Sequence, residues 1–153
     1  MHRILVVDDE VDICRALEFL LSREDYDITT AHSAERALEL FEKNYFDLML
    51  TDIKMEGMDG IRLMREVAVI SPDTTPVIMT AFASVESAVD AMKNGAADYI
   101  VKPFINDDVK LTINRLLHQK SLENENLALK RQLSDRIASN VFIGGSPSIR
   151  RIF

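Results

Sequence analysis

Short apolar segments alternate along the chain with longer segments in which apolar residues recur every three or four positions. The short segments are bounded by polar and turn-forming residues, which is typical of buried strands. Five strands are predicted, at Arg3–Asp8, Asp27–Ala31, Asp47–Thr51, Val77–Ala81 and Asp98–Val101. The longer segments predict amphipathic helices over Val11–Glu24, Ser33–Asn44, Asp59–Ile70 and Ser84–Asn94, followed by a last helix that begins near Asp107.

Residues at the ends of the predicted helices support these boundaries. Ser33, Asp59 and Ser84 each precede a helical pattern, and their side-chain oxygens suit the N-cap position. Gly95 follows the fourth pattern and suits a helix end. The second strand is more polar than the others, which predicts that it lies at an edge of the sheet.

The alternation of strands and helices indicates an α/β fold. Strands that are apolar on both faces are typical of a parallel sheet covered by helices on both sides. Right-handed crossovers leave few arrangements. We therefore predict a doubly wound, flavodoxin-like, five-stranded parallel sheet in the order 2-1-3-4-5, with an extended C-terminal helix. In such a sheet the ligand crevice lies at the carboxyl ends of the first and third strands.

Composition narrows the class of protein. The 153 residues carry a net charge of −7, which argues against direct binding of nucleic acid. No apolar stretch is long enough to span a membrane, and the only cysteine, Cys14, excludes an internal disulfide. We expect a cytoplasmic protein in which Cys14 packs in the core.

Charged and polar residues follow four of the predicted strands. Asp8 and Asp9 follow the first, Asp52 the third, Thr80 ends the fourth and Lys102 follows the fifth. The predicted fold gathers these residues at one edge. Clustered carboxylates suit Mg²⁺, which prefers oxygen ligands, and a carboxylate can also act as a nucleophile towards phosphorus. The simpler interpretation is that individual acids, such as Asp9 or Glu10, only cap helices.

Four motifs together resemble the receiver domain of two-component response regulators. They are "LVVDDE", "DLMLTDIKMEGMDG", "VIMTA" and "GAADYIVKPF", and the resemblance covers about residues 1–118. It implies that Asp52 accepts a phosphoryl group from a histidine kinase. It also implies that Asp8, Asp9, Asp52 and the backbone carbonyl of Lys54 hold Mg²⁺.

The same resemblance assigns the remaining site residues. Thr80 and Lys102 would contact the phosphoryl group, and Tyr99 would be the switch aromatic that turns inward as Thr80 moves. The bond between Lys102 and Pro103 would be cis. Glu56 stands where the family often has proline, so the shape of the local loop is left open.

Residues 119–140 predict a helical linker that continues the last helix. Its residues at 4-3-4 spacing suit a coiled-coil seam with one buried asparagine, which favours a parallel dimer. They are Leu122, Asn126, Leu129 and Leu133. We expect a homodimer through this seam and through the face formed by helix 4, strand 5 and helix 5. The simpler interpretation is a solvated linker helix.

The segment "NVFIGGSPSIRRIF" resembles the opening of the AAA+ ATPase domain in sigma-54-dependent activators of the nitrogen-regulator type. We assign residues 141–153 to the start of that domain. No phosphate-binding G-x-x-x-x-G-K-[ST] loop is present in the sequence. We therefore expect the regulatory part of a longer transcription activator, whose other domains would engage sigma-54 RNA polymerase and DNA.

Two alternatives differ in class from this interpretation. One is a single-domain, chemotaxis-type receiver, against which the residues after His118 argue. The other is an aspartyl-phosphate phosphatase. Those enzymes use a "DxDxT" motif, whereas Asp52 is followed by Ile53, Lys54 and Met55. We expect no turnover of an outside substrate, only assistance to the chain's own phosphorylation and dephosphorylation.

Overall fold

The strands of the structure, a computed structural model that describes residues 2–81 and 85–122, form one five-stranded sheet. In that part of the chain they are β1 (Arg3–Val7), β2 (Asp27–Ala31), β3 (Leu48–Asp52), β4 (Thr75–Thr80) and β5 (Asp98–Val101). All four strand pairings are parallel, and the order is β2-β1-β3-β4-β5. The predicted fold class and strand order are confirmed, and β2 is an edge strand as expected.

Helices connect the strands. They are α1 (Val11–Ser22), α2 (Ala34–Lys43), α3 (Gly60–Ile70) and α4 (Val85–Lys93). The chain divides into two units, Met1–Leu117 and His118–Phe153. In the first unit a fifth helix, α5, occupies residues 106–117, and residues 118–122 of the second unit are also helical. The predicted linker positions Asn126, Leu129 and Leu133, and residues 141–153, lie outside the described residues.

The helix caps at Ser33, Asp59 and Gly95 lie where the sequence predicts them. The Ser33 side chain accepts a hydrogen bond from the Arg36 backbone N–H, and Asp59 accepts one from the Arg62 N–H. Gly95 follows α4 with a φ of 106°, a backbone conformation that glycine adopts without strain. The predicted cap Ser84 lies outside the described residues.

The start of β4 differs from the prediction, which placed Val77 first and assigned Pro76 to a chain break. The strand begins at Thr75, and Pro76 pairs in register with Met49. Proline is tolerated near the first residue of a strand because little of the ladder there depends on its missing N–H. Its carbonyl still accepts a hydrogen bond from the Ala97 N–H at 2.8 Å.

The core lies on both faces of the sheet. Alternate residues of β1 point to opposite sides, so that Ile4 and Val6 join one apolar cluster while Leu5 and Val7 join the other. The first cluster includes buried residues of α1 and α5, and the second includes those of α2 and α3. Because all five strands are parallel, their carboxyl ends form a single edge.

No helix in the part of the chain that the structure describes has the length and apolar character needed to cross a membrane.

Candidate functional site

Asp8 lies immediately after β1 and is fully buried. Its backbone N–H donates to the Ala31 carbonyl at 3.0 Å, and its own carbonyl accepts from the Cys14 thiol at 3.5 Å. The His32 Nδ1 atom lies 3.2 Å from the same carbonyl oxygen. The Asp8 Oδ1 atom accepts from the Glu10 backbone N–H at 3.0 Å. Contacts from α1 and from the end of β2 therefore fix the Asp8 backbone, and the β1–α1 loop holds one oxygen of its carboxylate.

Asp52 is the last residue of β3, and only 8% of its surface is exposed. The start of α3 closes tightly over its backbone. The Gly60 N–H donates to the Ile53 carbonyl at 2.8 Å, and a Cβ atom at Gly60 would lie 2.0 Å from the Asp52 carbonyl oxygen. The position requires a residue without a side chain. The strand and this turn together hold the Asp52 carboxylate at the rim of the sheet.

Lys102 bridges the two buried carboxylates. Its Nζ atom lies 2.7 Å from Asp8 Oδ2 and 3.0 Å from Asp52 Oδ2, and 10% of its side chain is exposed. Burial lowers the pKa of the Lys102 ammonium, but the hydrogen bonds and charges of the two carboxylates outweigh it, so the pKa is raised overall. Lys102 therefore stays protonated, and its charge offsets part of the cost of burying Asp8 and Asp52.

Asp9 completes an acidic cluster from the solvent side. Within the described residues, one oxygen each from Asp8, Asp9 and Asp52 lie within 4.8 Å of one another. Three carboxylates against the one Lys102 ammonium leave two formal negative charges, which a divalent cation would balance. Oxygen donors of this kind and number fit Mg²⁺.

Helix capping does not account for these acids. The N-cap residue of α1 is Glu10, and its side chain makes no capping hydrogen bond. Asp9 precedes the cap position and points its carboxylate oxygen towards the other two acids rather than serving as the cap.

The remaining predicted residues lie on β4, on β5 and on the β3–α3 loop. Thr80 is buried at the end of β4, and its carbonyl accepts from the Lys102 backbone N–H at 2.8 Å. Lys54 lies on the β3–α3 loop, two residues beyond Asp52. Tyr99 lies on β5 with 38% of its surface exposed, beside a surface cavity of about 290 Å³. The bond between Lys102 and Pro103 is cis.

Three contacts near the site were not predicted from the sequence. The Cys14 thiol and the His32 ring both reach the Asp8 carbonyl, and Glu35 contacts the β3–α3 loop. Helical periodicity predicts that Cys14 is a core residue, and it is buried. Its second role could not be inferred, because a contact across six positions depends on the turn between strand and helix.

The fold and the acidic cluster together define a flavodoxin-like α/β domain with a carboxylate site at the switch between β1 and β3. The chain belongs to the response regulator receiver domain family, which it matches over residues 4–114. The predicted family is confirmed.

Curated relatives are longer proteins. The chain is 41% identical over 127 residues to the transcriptional regulatory protein ZraR of Escherichia coli K12, covering 82% of this chain and 29% of that protein. It is 35% identical over 152 residues to the regulatory protein AtoC of the same strain, covering 99% of this chain and 33% of that protein. It therefore spans no more than about a third of the length of these relatives.

Solved structures show the same fold. The crystal structure of NtrX from Brucella abortus in complex with ADP aligns with a TM-score of 0.79 and 34% identity, covering 90% of this chain and 34% of that one. A response regulator receiver domain protein from Clostridium thermocellum aligns with a TM-score of 0.74 and 34% identity, covering 80% and 98%.

Proposed function

We propose that this chain is a phosphoacceptor switch that receives a phosphoryl group on Asp52 from a phosphohistidine of a histidine kinase. The observation that carries the proposal is the position of Asp52. Its carboxylate is held on a rigid strand, close to two further carboxylates and hydrogen-bonded to Lys102. An isolated acid at the end of a buried strand would be costly, whereas this arrangement suits a nucleophile that must meet a phosphoryl group.

The transfer exchanges one bond to phosphorus for another. An Asp52 carboxylate oxygen attacks phosphorus and forms a P–O bond while the P–N bond of the phosphohistidine breaks. The imidazole nitrogen leaves with the electron pair of that bond and takes up a proton from water. The Lys102 ammonium remains beside Asp52 to offset the charge of the phosphoryl oxygens.

The chain's own oxygen atoms would hold the metal ion. Asp8, Asp9 and Asp52 supply carboxylates, and the Lys54 backbone carbonyl supplies a further ligand. When bound there, Mg²⁺ would supply positive charge that offsets the charge of the phosphoryl oxygens. The buried Asp8 is held in place, since both its backbone groups and its Oδ1 atom are hydrogen-bonded.

Thr80 and Tyr99 would convert phosphorylation into a change of the face formed by α4, β5 and α5. The Thr80 hydroxyl donates to a phosphoryl oxygen, and Tyr99 turns inward as Thr80 moves. Driving a two-state equilibrium from 1:99 to 99:1 requires about 5.5 kcal/mol. A few hydrogen bonds to the charged phosphoryl group, at about 1.5–3 kcal/mol each, supply that amount.

Homodimerisation is the proposed output of the domain. Exposed apolar side chains are present on α4, β5 and α5, the three elements of the predicted face. They are Val89, Met92, Tyr99, Val101 and Leu111. The predicted seam of the linker begins at Leu122, which is helical and exposed.

The length and names of the relatives support a regulatory role in a larger protein. ZraR is named a transcriptional regulatory protein and is more than three times as long as the matched part. We propose that the full-length protein is a sigma-54-dependent activator that acts in the cytoplasm with sigma-54 RNA polymerase and DNA. The greater length of the relatives favours a regulatory domain of a longer protein over a single-domain, chemotaxis-type receiver. The domain is proposed to have no turnover of an outside substrate, which distinguishes it from a phosphatase.

Phosphorylation by a small phosphodonor tests the assignment of Asp52 without the kinase. We expect acetyl phosphate with Mg²⁺ to add one phosphoryl group to the wild-type chain, detected by intact-protein mass spectrometry. Asp52→Asn should abolish this addition, whereas Asp107→Asn, which alters an exposed acid on α5, should not. Continued addition of one phosphoryl group to Asp52→Asn would show that another residue is the acceptor.

A further inference from the structure

The loop between β3 and α3 determines where the proposed Lys54 ligand lies. Asp52 belongs to the strand, but Lys54 lies beyond its end, so only the loop can position its carbonyl. The C-terminal end of the loop is closed by the hydrogen bond from the Gly60 N–H to the Ile53 carbonyl. Met55 and Met58 are partly buried against the apolar cluster on this side of the sheet. Apolar contacts of this kind are not directional and leave the orientation of the peptide planes open.

The Glu35 side chain, which belongs to another element, makes a directional contact with this loop. The Met58 backbone N–H donates to the Glu35 Oε1 atom at 3.4 Å. Glu35 lies in the first turn of α2, whose N-cap Ser33 and buried Ala37 fix the helix against the sheet. The carboxylate is therefore presented to the loop by a rigid element.

The backbone of the loop is adapted to this carboxylate. Gly57 has a φ of 81°, and a Cβ atom there would lie 3.0 Å from Glu35 Oε1. Glycine adopts this conformation without strain and also leaves the space that the carboxylate fills. The contact and the glycine therefore form one feature, in which Glu35 packs against Gly57 and accepts the next N–H along the chain.

We propose that Glu35 is a positioning residue for the metal site, acting through the Met58 N–H to hold the β3–α3 loop and thereby the Lys54 carbonyl. The inference rests on the proposed function, because it requires that Lys54 be a ligand of Mg²⁺. Glu35 is not among the three acids whose oxygens lie together, and it is not proposed as a ligand. Its hydrogen bond restricts the loop before the ion arrives, so that less ordering accompanies binding.

Magnesium titration by isothermal calorimetry tests this role. We expect Glu35→Ala to weaken Mg²⁺ binding by about two- to ten-fold, the range that the loss of one hydrogen bond produces. Glu35→Gln keeps an acceptor oxygen and removes the charge, and it should bind Mg²⁺ within about two-fold of the wild type. Glu39→Ala is the matched control, because it removes an exposed carboxylate that pairs with Arg36 on the same helix.

The outcomes separate the inference from the function on which it rests. If the wild-type chain binds no Mg²⁺, the proposed metal site itself is wrong. If it binds Mg²⁺ and Glu35→Ala binds as tightly, the positioning role is wrong. If Glu35→Gln loses as much Mg²⁺ affinity as Glu35→Ala, the effect comes from the charge of Glu35. If Glu39→Ala loses as much affinity, the effect comes from a general change in α2. Either result would overturn the proposal. Thermal unfolding of each metal-free variant, measured alongside, should show that it is fully folded at the titration temperature, so that affinities are compared between folded proteins.

Discussion

Gly60 illustrates how a single residue without a side chain supports the acceptor site. Alanine is normally preferred to glycine inside helices by about 1 kcal/mol, and Gly60 is the first residue of α3. The structure reverses this preference, because a Cβ atom at Gly60 would lie 2.0 Å from the carbonyl oxygen of Asp52. The Gly60 N–H also donates to the Ile53 carbonyl at 2.8 Å, and Asp52 ends β3, so relief of the contact would displace this hydrogen bond or the strand end.

We predict that Gly60→Ala lowers the free energy of unfolding by about 3 kcal/mol, as expected when a tightly packed position is overfilled. Urea denaturation measures the change. Gly95→Ala is the comparison, because Gly95 has a φ of 106° but a Cβ atom added there would meet no other atom within 4 Å. Its cost should be about 1–2 kcal/mol, from backbone conformation alone. Equal stability of Gly60→Ala and the wild type would show that the contact relaxes at little cost.

Cys14 should give the domain a dependence on alkaline pH. Burial, followed by the nearby charge of Asp8, raises the pKa of the Cys14 thiol to about 11. In the unfolded chain a thiol ionises near pH ~8.5. The unfolded state therefore loses its proton first, and stability falls as the pH rises from about 9 to 11, by at most about 3 kcal/mol.

Replacement of the thiol tests this assignment. Cys14→Ala should be less stable than the wild type at neutral pH, because it removes buried atoms, but its stability should fall less steeply between about pH 9 and 11. Urea denaturation in metal-free, reducing buffer at several pH values provides the curves. The chain has one cysteine, so no other thiol contributes. Parallel curves for the two proteins would contradict the prediction.

Residues that carry the site chemistry differ in how far the sequence predicts them. Asp8, Asp52 and Lys102 could be predicted because each stands where an apolar strand ends, and the parallel sheet brings those ends together. The constraint on Gly60 and the contact of Glu35 with the Met58 N–H could not. Both depend on the path of a loop, and no periodic pattern encodes that path.

Helix starts can be compared at the scale of whole elements. In α3 the Asp59 carboxylate accepts from the Arg62 N–H at 2.8 Å, whereas the Glu10 side chain at the start of α1 makes no such bond. The two acids occupy the same formal position, but only one satisfies a backbone N–H of the first turn. The sequence predicted the first of these caps and left the second open.

We therefore predict that Asp59→Ala destabilises the domain by about 1 kcal/mol, the usual cost of losing an N-cap. Glu10→Ala, its matched control, should change stability by less than about 0.5 kcal/mol. Urea denaturation gives both values, and amide exchange should show lost protection in the first turn of α3 only in the Asp59 variant. A similar cost for both substitutions would show that charge near the helix ends, rather than the hydrogen bond, is responsible.

The boundaries of the elements show which local signals are decisive. The ends of β2 and β5 could be predicted to the residue, because polar residues follow or precede each apolar run. The start of β4 could not, because Pro76 is usually a strand breaker. The Pro76 carbonyl still accepts from the Ala97 N–H, a tertiary contact that no local rule includes.

Across the whole molecule, strand order could be predicted because right-handed crossovers and burial on both faces admit few arrangements. Self-association of the chain cannot be predicted in the same way. The exposed apolar residues of α4, β5 and α5 are not needed to fill this chain's own core, and their proposed partner is a second copy of the chain. The exposed apolar residues therefore identify the face, whereas the state of the protein in which a second copy binds there must be measured.

Leu111 provides a test of that face, because it lies on α5 with 68% of its surface exposed. We expect beryllofluoride with Mg²⁺, which mimics the phosphoryl group on Asp52, to strengthen self-association of the wild-type chain in sedimentation equilibrium. In a two-fold dimer each substitution occurs twice in one interface, so Leu111→Glu should reduce that strengthening by about ten-fold or more. The variant should unfold like the wild type, since exposed positions contribute little to stability.

Val69→Glu is the matched control for this prediction, because Val69 lies on α3, outside the proposed face, and is 82% exposed. It should respond to beryllofluoride as the wild type does, since the same charge is added to a surface that makes no contact in the proposed dimer. A normal response of Leu111→Glu together with a lost response of Val69→Glu would move the interface to α3. Association of the wild type that beryllofluoride leaves unchanged would separate dimerisation from phosphorylation and assign it to the linker seam that begins at Leu122.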